Sequence, residues 1–150
     1  MEVVRLMAKD YEEATDFLDL VFSKTYGPAD FRTLLPLCYQ PTDHQMNCNF
    51  AVREDGKLRA IVGLFPTQVQ VGDAVLSLGG IGGVSSHPND RGKGWMKTLM
   101  TRCIQEMKND NIDLSFLIGL RQRYQYFGYE KAGTLLDYEV NQINVKRYFL

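Results

Sequence analysis

The sequence that decides the fold is GGIGGVSSHPNDRGKGWMKTLM, which runs from Gly79 to Met100. It opens with four glycines in five residues, at the end of a run rich in β-branched and apolar side chains. Glycine weakens the interior of a strand, so this density predicts either a β-bulge or a group that approaches the strand backbone closely. The stretch therefore predicts a strand that leads through a glycine-rich loop into a helix.

The helix after this loop is predicted to begin near Arg91 and to end at Asn109-Asp110-Asn111. The next apolar run, from Ile112 to Ile118, is short and nearly unbroken, which is typical of a strand buried on both faces. Strand, helix and buried strand in this order predict a βαβ crossover between parallel strands. The inward stripe of the helix is expected to consist of Met96, Leu99, Met100, Cys103, Ile104 and Met107.

Three antiparallel strands are predicted upstream of the crossover, because Asp55-Gly56 and Gly72-Asp73 suit tight hairpin turns. The second strand is expected to be interrupted near Pro66. The predicted bounds are Asn49 to Arg53, Lys57 to Gln70 and Ala74 to Ser85.

The two ends of the chain complete the predicted fold. The sequence predicts, in order, a strand over Val3 to Met7, a helix over Tyr11 to Ser23 capped by Asp10, a short helix over Phe31 to Tyr39, a helical segment over Gln122 to Phe127, and strands over Tyr129 to Ala132 and Leu135 to Val140. These elements predict one α+β domain over residues 1–150, with a mixed, mostly antiparallel sheet and a central βαβ crossover. Residues 141–150 are expected to be a tail or the start of a further domain.

Composition excludes several classes of partner. The 150 residues carry a formal net charge of -1, which gives no global field for nucleic acid or an anionic membrane. We find no run of about 18 apolar residues and no signal peptide at the acidic N-terminus. The three cysteines lack CxxC spacing, so we expect reduced thiols, a cytoplasmic location and no metal site. Whether the chain forms a homo-oligomer is left open.

Basic residues and glycines crowd the predicted start of the helix, where Arg91, Gly92, Lys93 and Gly94 follow one another. A helix N-terminus leaves amide groups without internal partners and carries partial positive charge, so it suits a phosphate. A Walker loop is excluded because Lys93 is followed by Gly94 rather than by Ser or Thr. A dinucleotide GxGxxG motif is excluded because Gly80-Ile81-Gly82-Gly83-Val84-Ser85 ends in serine.

The stretch from Val84 to Met96 resembles the acetyl-CoA motif of GNAT N-acetyltransferases, Arg/Gln-x-x-Gly-x-Gly/Ala. Arg91 and Gly94 match it, and Met96 departs from the usual small residue. The resemblance implies the GNAT fold, with acetyl-CoA as cosubstrate. It implies that main-chain groups of Val84 and Ser86 pair with the pantetheine arm. The residues that would hold the pyrophosphate are Arg91, Gly92, Lys93, Gly94, Trp95 and Met96.

A second segment, Tyr124-Gln125-Tyr126-Phe127-Gly128-Tyr129, resembles the Tyr-x-x-x-Gly-Phe/Tyr signature of the same family. The resemblance implies that Tyr124 is a general acid. Leu117 stands where the family often carries Asn. The GGIGGV run, Met96 and the SFL sequence before Tyr124 are similar to the N-terminal domain of Eis-type multidomain acetyltransferases.

The implied activity is transfer of an acetyl group to a primary amine of a small molecule or a peptide. We expect a backbone amide near Val84 to stabilise the oxyanion, because a bulge would expose it. With Tyr pKa near 10 and thiol pKa near 8.5, full proton transfer from Tyr124 would be uphill by about 2 kcal/mol. No general base is evident, which leaves ordered water or a group outside this segment. The alternative is a noncatalytic acyl-CoA-binding module, or the cofactor half of a larger multidomain protein.

Overall fold

Two tight turns set the register of the central strands. Asp55 and Gly56 both have positive φ, 52° and 73°, as a type I′ turn requires. They join β2 (Asn49–Glu54) to β3 (Lys57–Val71), with Glu54 opposite Lys57. Gly72, with φ 58°, begins the turn from β3 to β4 (Ala74–Ser86). Both predicted hairpins are confirmed.

The computed structural model describes residues 1–133 and 142–149, which fall into two compact units, Met1–Leu120 and Arg121–Leu150. The first unit contains a five-stranded sheet, whose other strands are β1 (Glu2–Arg5) and β5 (Leu114–Phe116). The strand order is β1-β2-β3-β4-β5, and every neighbouring pair is antiparallel except β4 and β5, which are parallel. The helix α4 (Trp95–Asn109) forms the crossover between these two parallel strands. The predicted α+β fold with its βαβ crossover is confirmed.

Helices cover both faces of the sheet. The helix α1 (Tyr11–Tyr26) buries Leu18 in a cluster that includes Ala51 and Ile61 of the sheet. Phe50 faces the other way, because side chains alternate along a strand, and the guanidinium of Arg102 in α4 lies 5.6 Å from its ring. The helix α4 therefore packs on the face opposite α1. Its residues Leu99, Met100 and Cys103 are fully buried, as the stripe predicted.

The predicted interruption of the second strand near Pro66 is wrong. Pro66 pairs with Gly79 inside the continuous β3. The amide of Leu64 donates to the carbonyl of Cys48. Because main-chain groups alternate between the two edges of a strand, the nitrogen of Pro66 faces the same edge, on the β2 side. The register of β2 reaches only to Gly63, so at Pro66 this side of β3 is already an edge. Proline, which lacks the N–H, is tolerated at such an edge.

Two predicted boundaries near the crossover are wrong as well. The helix α4 begins at Trp95, because Gly92 and Gly94 have φ values of 86° and 82° that a right-handed helix excludes. The strand β5 covers Leu114–Phe116 rather than the longer run, and Leu114 is 51% exposed. Phe116 is 49% exposed as well and Ser115 between them is half-buried, so β5 is not buried on both faces.

The segment between α1 and β2 contains two single-turn helices, α2 (Phe31–Leu34) and α3 (Asp43–Met46). The predicted short helix therefore ends before Pro36, which cannot continue it. The side chains of Asp30 and Thr42 cap the two turns by accepting hydrogen bonds from the amides of Thr33 and Gln45.

The second unit contains α5 (Arg121–Tyr124), a 3-10 turn over Gln125–Phe127 and α6 (Gln142–Phe149). The predicted helical segment here is confirmed. The predicted strand over residues 129–132 is wrong, since these residues form no regular structure and Glu130 binds Arg121 at 2.7 Å. The predicted strand over residues 135–140 lies outside the described residues. No helix within the described ranges is long and apolar enough to cross a membrane.

Candidate functional site

The strand β4 contains a bulge at the glycine-rich sequence. Ile61 of β3 pairs with Ser85 and Gly63 pairs with Gly82, so two residues of β4, Gly83 and Val84, lie opposite one residue of β3. Gly83 has φ 58°, the left-handed conformation of the first residue in a glycine bulge. The predicted bulge is confirmed, and it re-aims the backbone at Val84.

Beyond the bulge, one edge of β4 is open, in that no described strand pairs with it. The strand pairs with β5 only from Leu78 to Gly80, whereas it pairs with β3 up to Ser86. The amide of His87 donates to the carbonyl of Arg59 in β3 at 2.8 Å. Main-chain groups alternate between the two edges of a strand, so those of Ser86 and Val84 face away from β3. An extended ligand with amide groups can pair with this edge as an added strand.

Glycine is required at the first two glycine positions of β4, Gly79 and Gly80, for a different reason. A Cβ atom at Gly79 would lie 2.7 Å from the Sδ atom of Met107 in α4, and one at Gly80 would lie 3.0 Å from the ring of Phe116 in β5. Such distances are shorter than van der Waals contact. Gly79 and Gly80 therefore allow helix and strand to pack closely, and they need no ligand to explain them.

The chain leaves β4 through a 3-10 turn over Pro88–Asp90 and enters α4 at Gly94, the N-cap residue. Residues 91–94 are exposed, Trp95 is buried and Met96 is half-buried. The first amides of α4, which include those of Trp95 and Met96, have no acceptor within the helix. The loop therefore presents backbone donors and a helix dipole next to the open edge of β4.

A buried carboxylate organises this loop. Asp90 is 5% exposed and accepts a hydrogen bond from the Nζ atom of Lys93 at 2.6 Å. The guanidinium of Arg59 in β3 contributes a second contact, at 3.3 Å. The hydrogen bond from Lys93 holds the pKa of Asp90 below its ordinary value, and the same bond raises the pKa of Lys93. The carboxylate thus ties the loop to the sheet.

The two predicted phosphate-binding side chains differ in their surroundings. The ammonium of Lys93 lies 2.6 Å from Asp90 and 3.6 Å from Glu54, so these carboxylates offset its charge. Arg91 is exposed and forms no ion pair with any residue in the described ranges. Arg91 therefore offers an uncompensated charge to an anion beside the helix N-terminus.

These features fit coenzyme A. The open edge of β4 suits the amides of a pantetheine arm, and the amides and Arg91 at the start of α4 suit a pyrophosphate. Six of the eight predicted cofactor residues, Arg91 to Met96, are continuous from the loop into α4, whereas Ser86 ends β4 and Val84 lies in the bulge. Their role as ligands stays a prediction.

Tyr124 belongs to the second unit. Its side chain is 6% exposed, and its ring meets that of Tyr129 edge-on at 6.4 Å between centroids. Both tyrosines come from the second predicted signature. The part of Tyr124 in catalysis stays a prediction.

Two residues near the bulge and loop were not predicted from the sequence. Asp90 carried a signal, its i,i+3 spacing to Lys93. Tyr39 carried none, because it lies in a long loop and meets Gly83 only in the folded chain. A shallow recess of about 550 Å³ is elsewhere on the sheet, lined by Pro66, Thr67, Gln68, Ser77 and Ile112, near the start of β4 rather than the bulge.

Comparison with solved structures gives the same fold. A predicted acetyltransferase from Clostridium acetobutylicum, determined with acetyl-CoA, superposes with a TM-score of 0.75 at 16% identity, and the match covers 99% of both chains. A probable N-acyltransferase from Enterococcus faecalis has a TM-score of 0.71 at 21% identity over 86% of this chain, which spans only 32% of that protein. A GCN5-related N-acetyltransferase from Anabaena variabilis has the same TM-score and identity, with 88% and 32% coverage. At these identities the likeness shows the fold alone.

Comparison with curated proteins gives no match. The sequence does match the family described as "Acetyltransferase (GNAT) domain" over residues 2–132, which is most of its length. The open strand edge, the bulge and the loop at the start of α4 all lie inside this range. The chain therefore belongs to the GNAT acetyltransferase family.

Proposed function

We propose that this protein is an acetyl-CoA-dependent N-acetyltransferase that acts on a primary amine of a small molecule or a peptide. The observation that carries the proposal is the continuous path from the open edge of β4, through the bulge at Gly83, to the exposed loop and the start of α4. Family membership supports it. So does the Clostridium neighbour, which was determined with acetyl-CoA.

In this proposal the chain binds the cosubstrate mainly through its backbone. Val84 and Ser86 pair with the pantetheine amides. The amides from Arg91 to Met96 hold the pyrophosphate, and the Arg91 guanidinium adds the full charge. Lys93 contributes to the same loop while it remains paired with Asp90. Trp95 is buried, and the Nζ atom of Lys93 lies 5.9 Å from its ring centroid. In this proposal the Trp95 ring supports the loop by packing at the start of α4.

The reaction needs a neutral amine nitrogen, whose lone pair forms a bond to the thioester carbonyl carbon while the carbonyl π pair moves to oxygen. The Val84 amide stabilises that oxyanion. When the pair returns, the carbon–sulfur bond breaks and its electrons leave on sulfur, which takes up a proton. Tyr124 supplies this proton or a strong hydrogen bond, and the former amine nitrogen loses a proton to water or to a base outside the Gly79 to Met100 stretch.

The experiment is acetyl-CoA turnover with a panel of amines that includes small alkylamines, an amino sugar and a peptide with a free N-terminus. The protein carries three free thiols, Cys38, Cys48 and Cys103, so the acetylated product is detected by mass spectrometry rather than by a thiol reagent. We expect product with at least one amine. Binding of acetyl-CoA without product from any amine would contradict the enzymatic proposal.

The role of Tyr124 is tested with Tyr124→Phe. We expect a loss in kcat of about 100-fold or more, the low end of general acid catalysis. The matched control is Tyr126→Phe, which removes the same hydroxyl from a neighbour that is 69% exposed. A Tyr124→Phe variant as active as this control would remove Tyr124 from the mechanism.

A second candidate function is an acyl-CoA-binding module or the cofactor half of a larger protein. It is favoured by the Enterococcus neighbour, of which this chain spans only 32%. The predicted likeness to multidomain Eis-type enzymes agrees with it. The free thiols agree with a reducing, cytoplasmic location for either function. Turnover by the isolated chain separates the two candidates.

A further inference from the structure

The side chain of Tyr39 is fixed in the loop between α2 and α3. It is 2% exposed. Its ring meets Phe31 and Phe65 edge-on, with centroids 5.4 Å and 5.9 Å away. Edge-on contacts on two sides leave the ring little freedom to turn. The position of its hydroxyl is therefore set by the surrounding core.

The hydroxyl of Tyr39 is buried, yet it makes no hydrogen bond with any residue that the structure describes. Buried hydroxyl groups nearly always have a partner, because an unpaired one loses the hydrogen bonds it made to water. Without a partner for its hydroxyl, tyrosine at this position gives the fold no more stability than phenylalanine would. The oxygen therefore calls for an explanation from function or from bound solvent.

The hydroxyl points at the bulge of β4. A Cβ atom at Gly83 would overlap the Tyr39 Oη atom. The hydroxyl therefore occupies the space beside the Gly83 Cα atom, one residue before Val84. Gly83 is thus required twice, by its φ of 58° and by the approach of Tyr39.

Tyr39 acts as a donor rather than a base. Burial, followed by the neighbouring Cys38 and Cys48, raises the pKa of its phenol well above the ordinary value. The group therefore keeps its proton at any working pH. An O–H donor beside a backbone amide is the arrangement that stabilises a developing oxyanion.

We propose that the Tyr39 hydroxyl donates a hydrogen bond to the carbonyl oxygen of the bound thioester, as the second donor of an oxyanion hole whose first donor is the Val84 amide. This inference rests on the proposed function. The bond strengthens as the π pair moves to oxygen when the amine attacks. It is released when the carbonyl re-forms and the thiolate leaves.

A purely structural explanation competes with this one. The Oδ1 atom of Asn49 is also buried and unpaired in the described structure, and it lies 3.0 Å from the Cβ position of Gly63 on a neighbouring strand. Buried water molecules bound at these two atoms would satisfy both. In that case the hydroxyl would stabilise the fold and would not touch the thioester.

The variant Tyr39→Phe separates the two explanations, because it removes only the oxygen. We expect kcat to fall by about 100-fold, as for the loss of one oxyanion-hole donor. The dissociation constant for free CoA, which has no acyl carbonyl, should stay within twofold, and the melting temperature should not fall. The matched control is Tyr11→Phe, the same change in the first residue of α1, which should leave kcat within twofold.

A measurement independent of turnover is the infrared carbonyl band of acetyl-CoA labelled with ¹³C at the thioester carbon. The hydrogen bond from Tyr39 should place the band at lower frequency in the wild-type complex than in the Tyr39→Phe complex. The ratio of the acetyl-CoA and CoA affinities should fall in the variant as well. An unchanged band in the variant overturns the Tyr39 proposal, whatever its stability.

The outcomes also separate this inference from the proposed function. Wild-type protein that makes product, with Tyr39→Phe equally active, overturns the role of Tyr39 alone. Wild-type protein that binds acetyl-CoA and makes no product contradicts the enzymatic proposal, and the carbonyl band still tests the hydrogen bond. A lower melting temperature in Tyr39→Phe with an unchanged band shows that the hydroxyl stabilises the fold and overturns the inference.

Discussion

The glycines at the start of the Gly79 to Met100 stretch and those at its end serve opposite needs. Gly79 has an ordinary backbone conformation, but the Sδ atom of Met107 occupies the place of its Cβ atom. Gly94 has φ 82°, and no described atom outside its own stretch of backbone lies within 4 Å of its Cβ position. Gly79 thus provides space, whereas Gly94 provides a conformation. Glycines in one sequence motif can therefore indicate two different features, close packing between elements and a loop whose backbone can bind a ligand.

The conformational role of glycine is tested most directly at Gly94. In Gly94→Val a β-branched residue would have to adopt a left-handed conformation that such residues avoid. The turn would change to relieve the strain, and the first amides of α4 would no longer converge on the pyrophosphate. We expect the affinity for CoA, measured by isothermal titration calorimetry, to fall at least 100-fold, since most of the charge-assisted hydrogen bonds are lost.

The matched control for Gly94 is Gly72→Val in the β3–β4 hairpin. Gly72 also has positive φ, 58°, with open space around its Cβ position in the part of the chain that is described. The same backbone strain there should reduce stability and leave CoA affinity within twofold. Equal CoA affinity in Gly94→Val and wild-type protein would remove the loop from the binding site.

The opposite result is expected at Gly79. In Gly79→Ala the new methyl group would press on Met107 in α4 and on Leu64, whose Cδ1 atom lies 3.1 Å from the Cβ position. Overpacking of this kind reduces the free energy of unfolding by about 1–3 kcal/mol. Urea denaturation measures the loss, and CoA affinity should not change once the protein is folded.

A second substitution at the partner sharpens this test. In the double variant Gly79→Ala with Met107→Ala, the added methyl group occupies space that the shorter side chain leaves. The combined loss of stability should then be smaller than the sum of the two single losses. Additive losses would show that Met107 is not the reason for glycine at position 79.

The smallest expected effect concerns the charges that fix the loop. The pKa of Asp90 is lowered, chiefly by the hydrogen bond from Lys93. The stabilisation is therefore complete above an unfolded pKa of about 3.9, and it is lost as the pH falls through the lower folded value. The stability difference between wild-type protein and Asp90→Asn, from urea denaturation, should be constant near neutral pH and should shrink below about pH 4.

Asp110→Asn controls for the removal of one carboxylate, because Asp110 is exposed and forms no ion pair with the described residues. The stability of Asp90→Asn is compared with that of Asp110→Asn at each pH, which isolates the contact with Lys93. A difference for Asp90→Asn that stays constant between pH 6 and pH 3 would mean that Lys93 does not stabilise the Asp90 carboxylate.

Local patterns predicted much of this fold. Asp55-Gly56 and Gly72-Asp73 predicted both hairpins, because few other residues adopt positive φ easily. The apolar stripe of α4 predicted its buried side, including Cys103, whose pKa burial raises to about 12. The interruption predicted at Pro66 was wrong, because a strand tolerates proline at an open edge and the sequence does not show where the neighbouring β2 ends. Residues 129–132 were predicted wrongly, because a short alternating pattern forms a strand only beside a partner and none of the described strands pairs with these residues.

The candidate site also has features that the sequence predicts and features that depend on tertiary contacts. The positions of Arg91, Gly92, Lys93 and Gly94 before an amphipathic helix were readable from sequence, because glycine conformation and helix dipoles act over a few residues. The charge balance was not readable, because Arg59 reaches Asp90 from another strand and Glu54 reaches Lys93. Which basic side chain keeps an unpaired charge is therefore a property of the folded chain.

The sequence by itself determined the family, the order of the five strands with α1 and α4, and the glycine-rich loop before α4, because turn conformations and hydrophobic periodicity are local. Only the tertiary structure decided that the bulge falls at Gly83, since a bulge exists only relative to a paired strand. It also placed the Tyr39 hydroxyl against that bulge. Contacts between residues distant in sequence follow from packing the whole core, and no local pattern specifies them.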